Sequence, residues 1–346
     1  MSNSKKNILC VVGSLNQTTQ LHSISKHLEK DFNIYFTQIF GEGFFYKIVA
    51  ESGILDNTVL GRDSSFTKSS QEYIRSQKLN YDYRGQSKNV KYDLALLSTD
   101  LIVPSSFQKI KTAWVQEGMI DPVNRLTKLI NKLNLPAYAT ANTALNGTTN
   151  TADIYFSMSE GYKNYFNQYG TNRDKILVTG VPNFDNISAL NLTTYKESNY
   201  VLVATSDIRE LGGNEDRSDF IRKCIDIAKG RKIIFKPHPN ENLDRVKAEI
   251  NALIPQAEII TEPIIDTLIA HCDTLVTQYS SCVYVGLVLG KNIYSYFPIE
   301  ELEAKKPIQN NGTSSEIIAG IVKEFAEFEG KKEGFIHQSS IAKKYF

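Results

Sequence analysis

The sequence predicts an α/β protein built from two Rossmann-like, doubly wound parallel-sheet domains facing each other across a cleft. Three observations carry that prediction. Short, wholly apolar runs alternate along the chain with stretches whose apolar residues recur at helical spacing. Such runs suit strands buried on both faces, as in a parallel sheet covered by helices. The 346 residues exceed what one hydrophobic core commonly reaches. Residues 186–199, NISALNLTTYKESN, are polar and short of large apolar side chains, and they divide the alternation into two series.

In the first series NILCVVG is a strand, broken at Gly13-Ser14, and TTQLHSISKHLEK follows at helical spacing. FNIYFTQIF is the next strand, and residues 41–90 show no clear period. YDLALLS, TAWVQ and DIYFSMS are further strands, then EGYKNYFNQYG a helix and KILVTG a strand, closing a domain of residues 1–185. After the 186–199 linker, YVLVATS opens the second domain, residues 200–313. RSDFIRKCIDIAK sets Phe220, Ile221, Cys224, Ile225 and Ala228 on one helical face, and LDRVKAEINAL repeats the spacing through Leu243, Val246, Ile250 and Leu253. KIIFK, AEIIT, TLVTQY and NIYSYF are its strands; IIDTLIAH and SSCVYVGLVLG are helices, the last opened by Ser280-Ser281 and stopped at Gly290. Thr313 and Glu316 form a capping-box pattern before a final helix, and residues 314–346 are expected to pack back on the first domain.

Thirty-nine basic residues against 38 acidic ones leave a formal net charge of +1, which speaks against a nucleic-acid or polybasic membrane-surface partner. The four cysteines lie far apart with no zinc spacing, so no metal site is expected and the thiols read as buried and free. No signal-peptide pattern opens the chain, and the longest apolar run falls short of the roughly 20 residues that span a bilayer. A cytoplasmic protein without a transmembrane segment is expected.

Ligands of doubly wound sheets sit beyond the carboxyl ends of the strands, so the loops there are where function is sought. In IIFKPHPNEN, Pro237 and Pro239 restrict the backbone around His238, with Lys236 beside it. The imidazole could donate to phosphate oxygens; otherwise the segment is a stiff turn. Gln278 ends a strand ahead of Ser280 and Ser281, whose helix start offers free N–H groups to an anion, although serine caps helices whatever the function. In TAWVQEGMIDP, Glu117 and Asp121 follow a strand; Gly118 allows a tight turn that aims Glu117 into the cleft as a general base, against the plainer reading of solvated surface carboxylates. Gly13 and Ser14 form half of a phosphate-binding turn, yet GSLNQTT is neither a dinucleotide fingerprint nor a Walker loop. Gly180 and Asn183 lie at the domain junction, and Ser206 and Arg209 follow the first strand of the second domain, where they could reach a phosphate or simply cap and pair.

Together these loops, over residues 110–300, resemble the GT-B superfamily of nucleotide-sugar glycosyltransferases and non-hydrolysing UDP-N-acetylglucosamine 2-epimerases. VTGVPNFD looks like the VTGNPVxD segment of the epimerases, and VQEGMID is similar to their HVEAGLR, with Glu117 on its glutamate. The His-Pro of KPHPNEN is shared with epimerases, capsule-type transferases and CDP-glycerol glycerophosphotransferases; QYSSCVYVGLVLGK resembles the Asp-Tyr-Ser-Ser helix of the last group. The epimerases' Ser-Gly-Gly-x-x-Glu is missing, position 116 is Gln in place of their His, and the glycerophosphotransferases' Trp-His-Gly is missing too. The resemblance implies a metal-independent, cofactor-free transferase. Its second domain would hold a nucleotide-sugar donor through His238, Lys236, Gln278, Ser280, Ser281, Ser206 and Arg209. Its first, acceptor-side domain would use Glu117, or else Asp121, to activate a saccharide or lipid-linked acceptor in surface-polysaccharide assembly. Peripheral membrane contact stays open in this reading. A 2-epimerase, a CDP-polyol phosphotransferase and a non-catalytic nucleotide-sugar-binding module are the alternatives.

Overall fold

The computed structural model describes residues 5–42, 65–86, 89–133, 135–140, 142–210, 212–262 and 264–346. The chain divides into two compact units, Met1–Asp185 with Gly312–Phe346, and Asn186–Asn311. Of the stretch 41–90, which shows no clear period, residues 43–64 and 87–88 fall outside the described residues; within the rest of it lies a helix, named below.

Unit 1 runs β1 (Asn7–Val12), α1 (Leu15–Ser25), β2 (Asn33–Gln38), α2 (Ser65–Ser76), β3 (Leu94–Leu97), β4 (Lys111–Val115), α3 (Arg125–Lys132), β5 (Ile154–Ser157), α4 (Glu160–Tyr169) and β6 (Ile176–Val178). Its six strands are parallel in the order β2-β1-β3-β4-β5-β6. Fully apolar strands are what this demands, because both faces are covered: Leu94–Leu97 and Ile154–Ser157 are buried throughout.

Unit 2 runs β7 (Val201–Ala204), α5 (Arg217–Ala228), β8 (Ile233–Lys236), α6 (Leu243–Leu253), β9 (Glu258–Ile259), α7 (Ile265–His271), β10 (Thr274–Thr277), α8 (Val283–Val288), β11 (Asn292–Tyr294) and α9 (Ile299–Ala304). Its parallel sheet has the order β11-β10-β7-β8-β9. Phe220, Ile221, Cys224 and Ala228 of α5 pack on Val201, Val203 and Phe235, each large side chain contributing about 1.5–3 kcal/mol by burial. Ile225, expected on that stripe, is exposed instead. At 3.6 residues per turn it lies about 100° round from Cys224 and about 60° beyond Ala228, outside the buried arc.

The polar stretch 186–199, expected as a linker, belongs to unit 2. Its Ile187–Leu192 forms a 3₁₀ turn that buries Ile187 and packs on α7 and α8, and Thr193 meets His271 at 3.2 Å. A few apolar side chains suffice to seat a segment whose composition is otherwise that of a linker.

The chain returns to unit 1 at Gly312 with α10 (Ser314–Glu327) and α11 (Phe335–Gln338). α10 packs on α1, and Lys323 pairs with Asp31 at 2.5 Å. The expected Thr313–Glu316 box does not form; Thr313 makes no side-chain cap, and the Asp185 carboxylate accepts the Ser314 N–H at 2.6 Å in its place. At the other end Lys6 and Lys111 donate to the Ala326 carbonyl, ammonium groups on the negative end of the helix dipole. Among the described residues no helix is long and apolar enough to cross a membrane. All four cysteines are free and buried, and burial pushes the Cys282 thiol up to about 11.

Candidate functional site

In unit 1 the chain leaves β1 for β2 on one side and then crosses to β3 on the other. The carboxyl ends of β1 and β3 therefore form the switch point where the loops part. Gly13 sits there because nothing larger fits: a Cβ would lie 2.7 Å from Ile39 Cδ1 and 2.9 Å from Gln17 Oε1. Ser14 caps α1 in a reciprocal box with Gln17. The Gln17 carboxamide oxygen accepts from Gly13 N (2.8 Å) and Ser14 N (3.2 Å), and Ser98 Oγ lies 3.0 Å away with its one proton shared between this oxygen and the Val11 carbonyl at 2.8 Å. The two backbone N–H donors on the oxygen leave one orientation for the amide, and its NH₂ points at Glu117 Oε2, 2.7 Å away. Ser14 Oγ donates to the other oxygen of Glu117 at 3.1 Å.

The loop carrying Glu117 is equally held. The Gln116 side chain donates to the Gly118 carbonyl at 2.8 Å, and Gln20 donates to the Gln116 carbonyl at 3.0 Å. Asn183 Nδ2 donates to the Glu117 carbonyl at 3.1 Å, and a Cβ on Gly118 would touch the Phe184 ring at 3.0 Å. Gly180, at φ +67°, supplies the left-handed turn that brings Asn183 there. Gly13, Ser14, Glu117, Gly118, Gly180 and Asn183 thus belong to one cluster. Burial pushes the Glu117 carboxyl above the usual carboxylate range, against the pull of the Gln17 and Ser14 hydrogen bonds. Gln17→Leu, which keeps the volume and removes the donor, is expected to raise that pKa further, as read by carbon NMR of the side-chain carboxyl.

Asp121 takes another role. Its carboxylate accepts from Thr143 N (2.8 Å) and Thr143 Oγ1 (2.7 Å), and its own N–H donates back to that hydroxyl, so it is a clamp between two points of the chain.

In unit 2 the strand order places the switch point between β7 and β10. Ser206 Oγ, after β7, donates to the Tyr279 carbonyl, after β10, at 3.4 Å. His238 follows the neighbouring β8, roughly 10 Å from β10 at ordinary strand spacing. Its Nδ1 lies 3.3 Å from the Asn240 nitrogen, whose N–H it accepts, and 3.5 Å from an Asp207 carboxylate oxygen. The His238 N–H is anchored on Glu241 at 2.9 Å.

Beneath these loops lies a buried ion network. Arg217 lies 2.9 Å from Glu215 and 2.5 Å from Glu241, with all three side chains at most 3% exposed. Gln278, fully buried, donates to Glu215 at 2.7 Å. Arg209, expected to be open to a phosphate, is bidentate to Glu249 at 2.7 and 2.8 Å and 3.2 Å from Glu215. Lys236 donates to the Thr261 carbonyl beyond β9, away from the switch point. The Ser280-Ser281 helix start also differs from expectation. α8 begins at Val283 with Cys282 as its cap residue, and the N–H groups of Cys282, Val283 and Tyr284 bond to Ser280 and Ser281. Short turns consume the donors that a longer helix would leave free. What stands open to solvent is Tyr279, edge-to-face with Tyr296 at 5.4 Å and Phe297 at 5.1 Å.

Sequence reasoning passed over Gln17, Ser98, Tyr279, Arg217, Glu215 and Glu241. Ser14-x-x-Gln17 is a legible capping box and could have found Gln17; the buried charges have no sequence signal, since Arg217 reads as an exposed first-turn residue.

Many solved structures match nearly the whole chain, three of them as follows. UDP-GlcNAc 2-epimerase from Methanocaldococcus jannaschii, in complex with UDP-GlcNAc and UDP, shares 16% identity over 92% of this chain and 99% of its own, at a TM-score of 0.55. The Neisseria meningitidis UDP-GlcNAc 2-epimerase bound to UDP-GlcNAc shares 15% over the same shares of each chain at 0.53. The S. aureus MnaA–UDP structure shares 12% over 93% of this chain and 97% of its own, also at 0.53. The fold is GT-B. GT-B proteins carry two parallel-sheet α/β units, as found here, and at these identities the likeness extends to the fold alone. No family model and no curated protein matches the chain.

Proposed function

We propose that this GT-B chain is a metal-independent glycosyltransferase that moves a sugar from a nucleotide-sugar donor to an acceptor hydroxyl in cell-surface polysaccharide or glycolipid assembly. The observation that carries the reading is Glu117: a carboxyl at a strand's carboxyl end, gripped by Gln17 and Ser14, with its pKa raised by burial. In the reaction Glu117 takes the acceptor's hydroxyl proton as that oxygen bonds the anomeric carbon. The sugar–phosphate bond breaks, and the nucleoside diphosphate leaves with the electron pair. Unit 2 would hold the nucleotide: the His238 imidazole and the Ser280 and Ser281 hydroxyls would donate to the phosphates, and the Tyr279 ring offers a stacking face to the base. The cationic role given to Arg209 and Lys236 passes to neutral donors, since both side chains are already committed. The proposed setting is the cytoplasm, with nucleotide sugar as substrate and no resident cofactor.

A second reading, C2 epimerisation of UDP-N-acetylglucosamine, is favoured by the fold neighbours, for Glu117 could equally abstract a carbon-bound proton. Thermal-shift screening of UDP, CMP, CDP and GDP with their sugars identifies the donor, because a ligand of the folded chain raises its apparent stability. With that donor, release of nucleoside diphosphate coupled to acceptor marks transfer, whereas a C2 epimer of unchanged mass marks epimerisation. His238→Ala is expected to weaken nucleotide binding by about 1–3 kcal/mol; an unchanged affinity places the phosphates elsewhere.

A further inference from the structure

Past Glu117 the chain makes an excursion, residues 122–142, closed at its base by the Asp121–Thr143 clamp. Its helix α3, RLTKLINK, buries only Thr127 and Ile130. Leu126, Leu129 and Leu133 fall on one side of it and are 52%, 51% and 56% exposed. Leu135 and Tyr138 are exposed too, Tyr138 on a 3₁₀ turn packed against α3. Arg125, Lys128 and Lys132 form the adjoining stripe of the helix, and residues 122–143 contain no aspartate or glutamate. Scattered exposed leucines are ordinary; three on one side of a short helix beside a stripe of three cations, with Leu135 and Tyr138 exposed just after it, are not.

We propose that this face of unit 1 docks on the surface of an anionic lipid bilayer, with the leucines at the acyl boundary and the cations among the headgroups. An amphipathic segment with Leu and Tyr on one side and Lys and Arg beside them meets both demands of that interface. Charge argues against a second copy of the chain, because a two-fold contact through this face sets three cations against three. A protein partner is disfavoured because protein interfaces are depleted of lysine at their cores. Docking is separate from the reaction proposed above: it concerns where unit 1 rests, and vesicle binding can succeed or fail whatever Glu117 does.

The test is co-sedimentation of the full chain with vesicles of phosphatidylcholine mixed with phosphatidylglycerol, and of phosphatidylcholine alone. Binding to the mixed vesicles is expected, and it should weaken with salt. Leu126→Ser/Leu129→Ser/Leu133→Ser is expected to lower it at least about tenfold. Lys128→Gln/Lys132→Gln should erase the preference for anionic vesicles. All five positions are exposed, so circular dichroism and melting temperature should match the wild type and separate lost docking from lost folding. Failure to sediment with either vesicle, or sedimentation untouched by the leucine variant, overturns the proposal. So does a concentration-dependent dimer that binds no vesicles and is dispersed by that variant, which would assign the face to a second copy.

Discussion

Glu117→Gln is expected to lower turnover about 100- to 10,000-fold, the span of a lost general base, while leaving nucleotide binding nearly intact. The same substitution should not cost stability. Burial raises the carboxyl's pKa in the folded chain above its unfolded value. The linked contribution is therefore fully present below the unfolded pKa and is lost as pH rises through the folded one. Wild-type stability should carry that downward slope as pH rises from the unfolded to the folded pKa, and Glu117→Gln should flatten it. Activity runs the opposite way, rising with pH through the same pKa as the base ionises. Kinetics against pH, paired with denaturation against pH, read both. A variant that keeps wild-type turnover removes Glu117 from the chemistry and leaves a carboxylate that merely stitches loops.

Arg217→Met is expected to destabilise unit 2 by about 3–5 kcal/mol, the cost of leaving buried carboxylates without their counter-charge. Two of them, Glu215 and Glu241, have side chains almost fully enclosed with Arg217. Urea denaturation gives the loss, and adding Glu241→Gln should recover part of it, because one orphaned charge then disappears. A loss below about 1 kcal/mol would mean the network behaves like a surface pair. Function should follow stability here. Glu241 holds the His238 N–H and Glu215 holds Gln278, so loosening Arg217 loosens both loops at the proposed nucleotide site.

The loops named from sequence are largely those that meet. Apolar strands such as LALL and IYFS have only one comfortable place, the middle of a covered parallel sheet, and the topology then sends every following loop to one edge. Position along the chain is enough to say that Ser14, Glu117 and Asn183 share an edge. It is not enough to say which of them touch. The Gln17 carboxamide reads as an ordinary first-turn side chain until Gly13, Ser98 and Glu117 converge on it.

What the sequence determined unaided is periodicity and backbone restriction: the alternation of strand and helix, the break at Gly13, the stiffening of His238 between prolines. These follow from local sterics and from the burial of apolar surface, which act on neighbours along the chain. Tertiary structure alone decided the pairing of charge. Arg209 and Lys236 look free in the sequence and are spent on Glu249 and a backbone carbonyl, while Arg217 looks solvated and lies at the centre of a buried ion network. Electrostatic partners come from strands and loops distant in sequence, and an ion's worth depends on how much water surrounds it, which no stretch of residues states on its own.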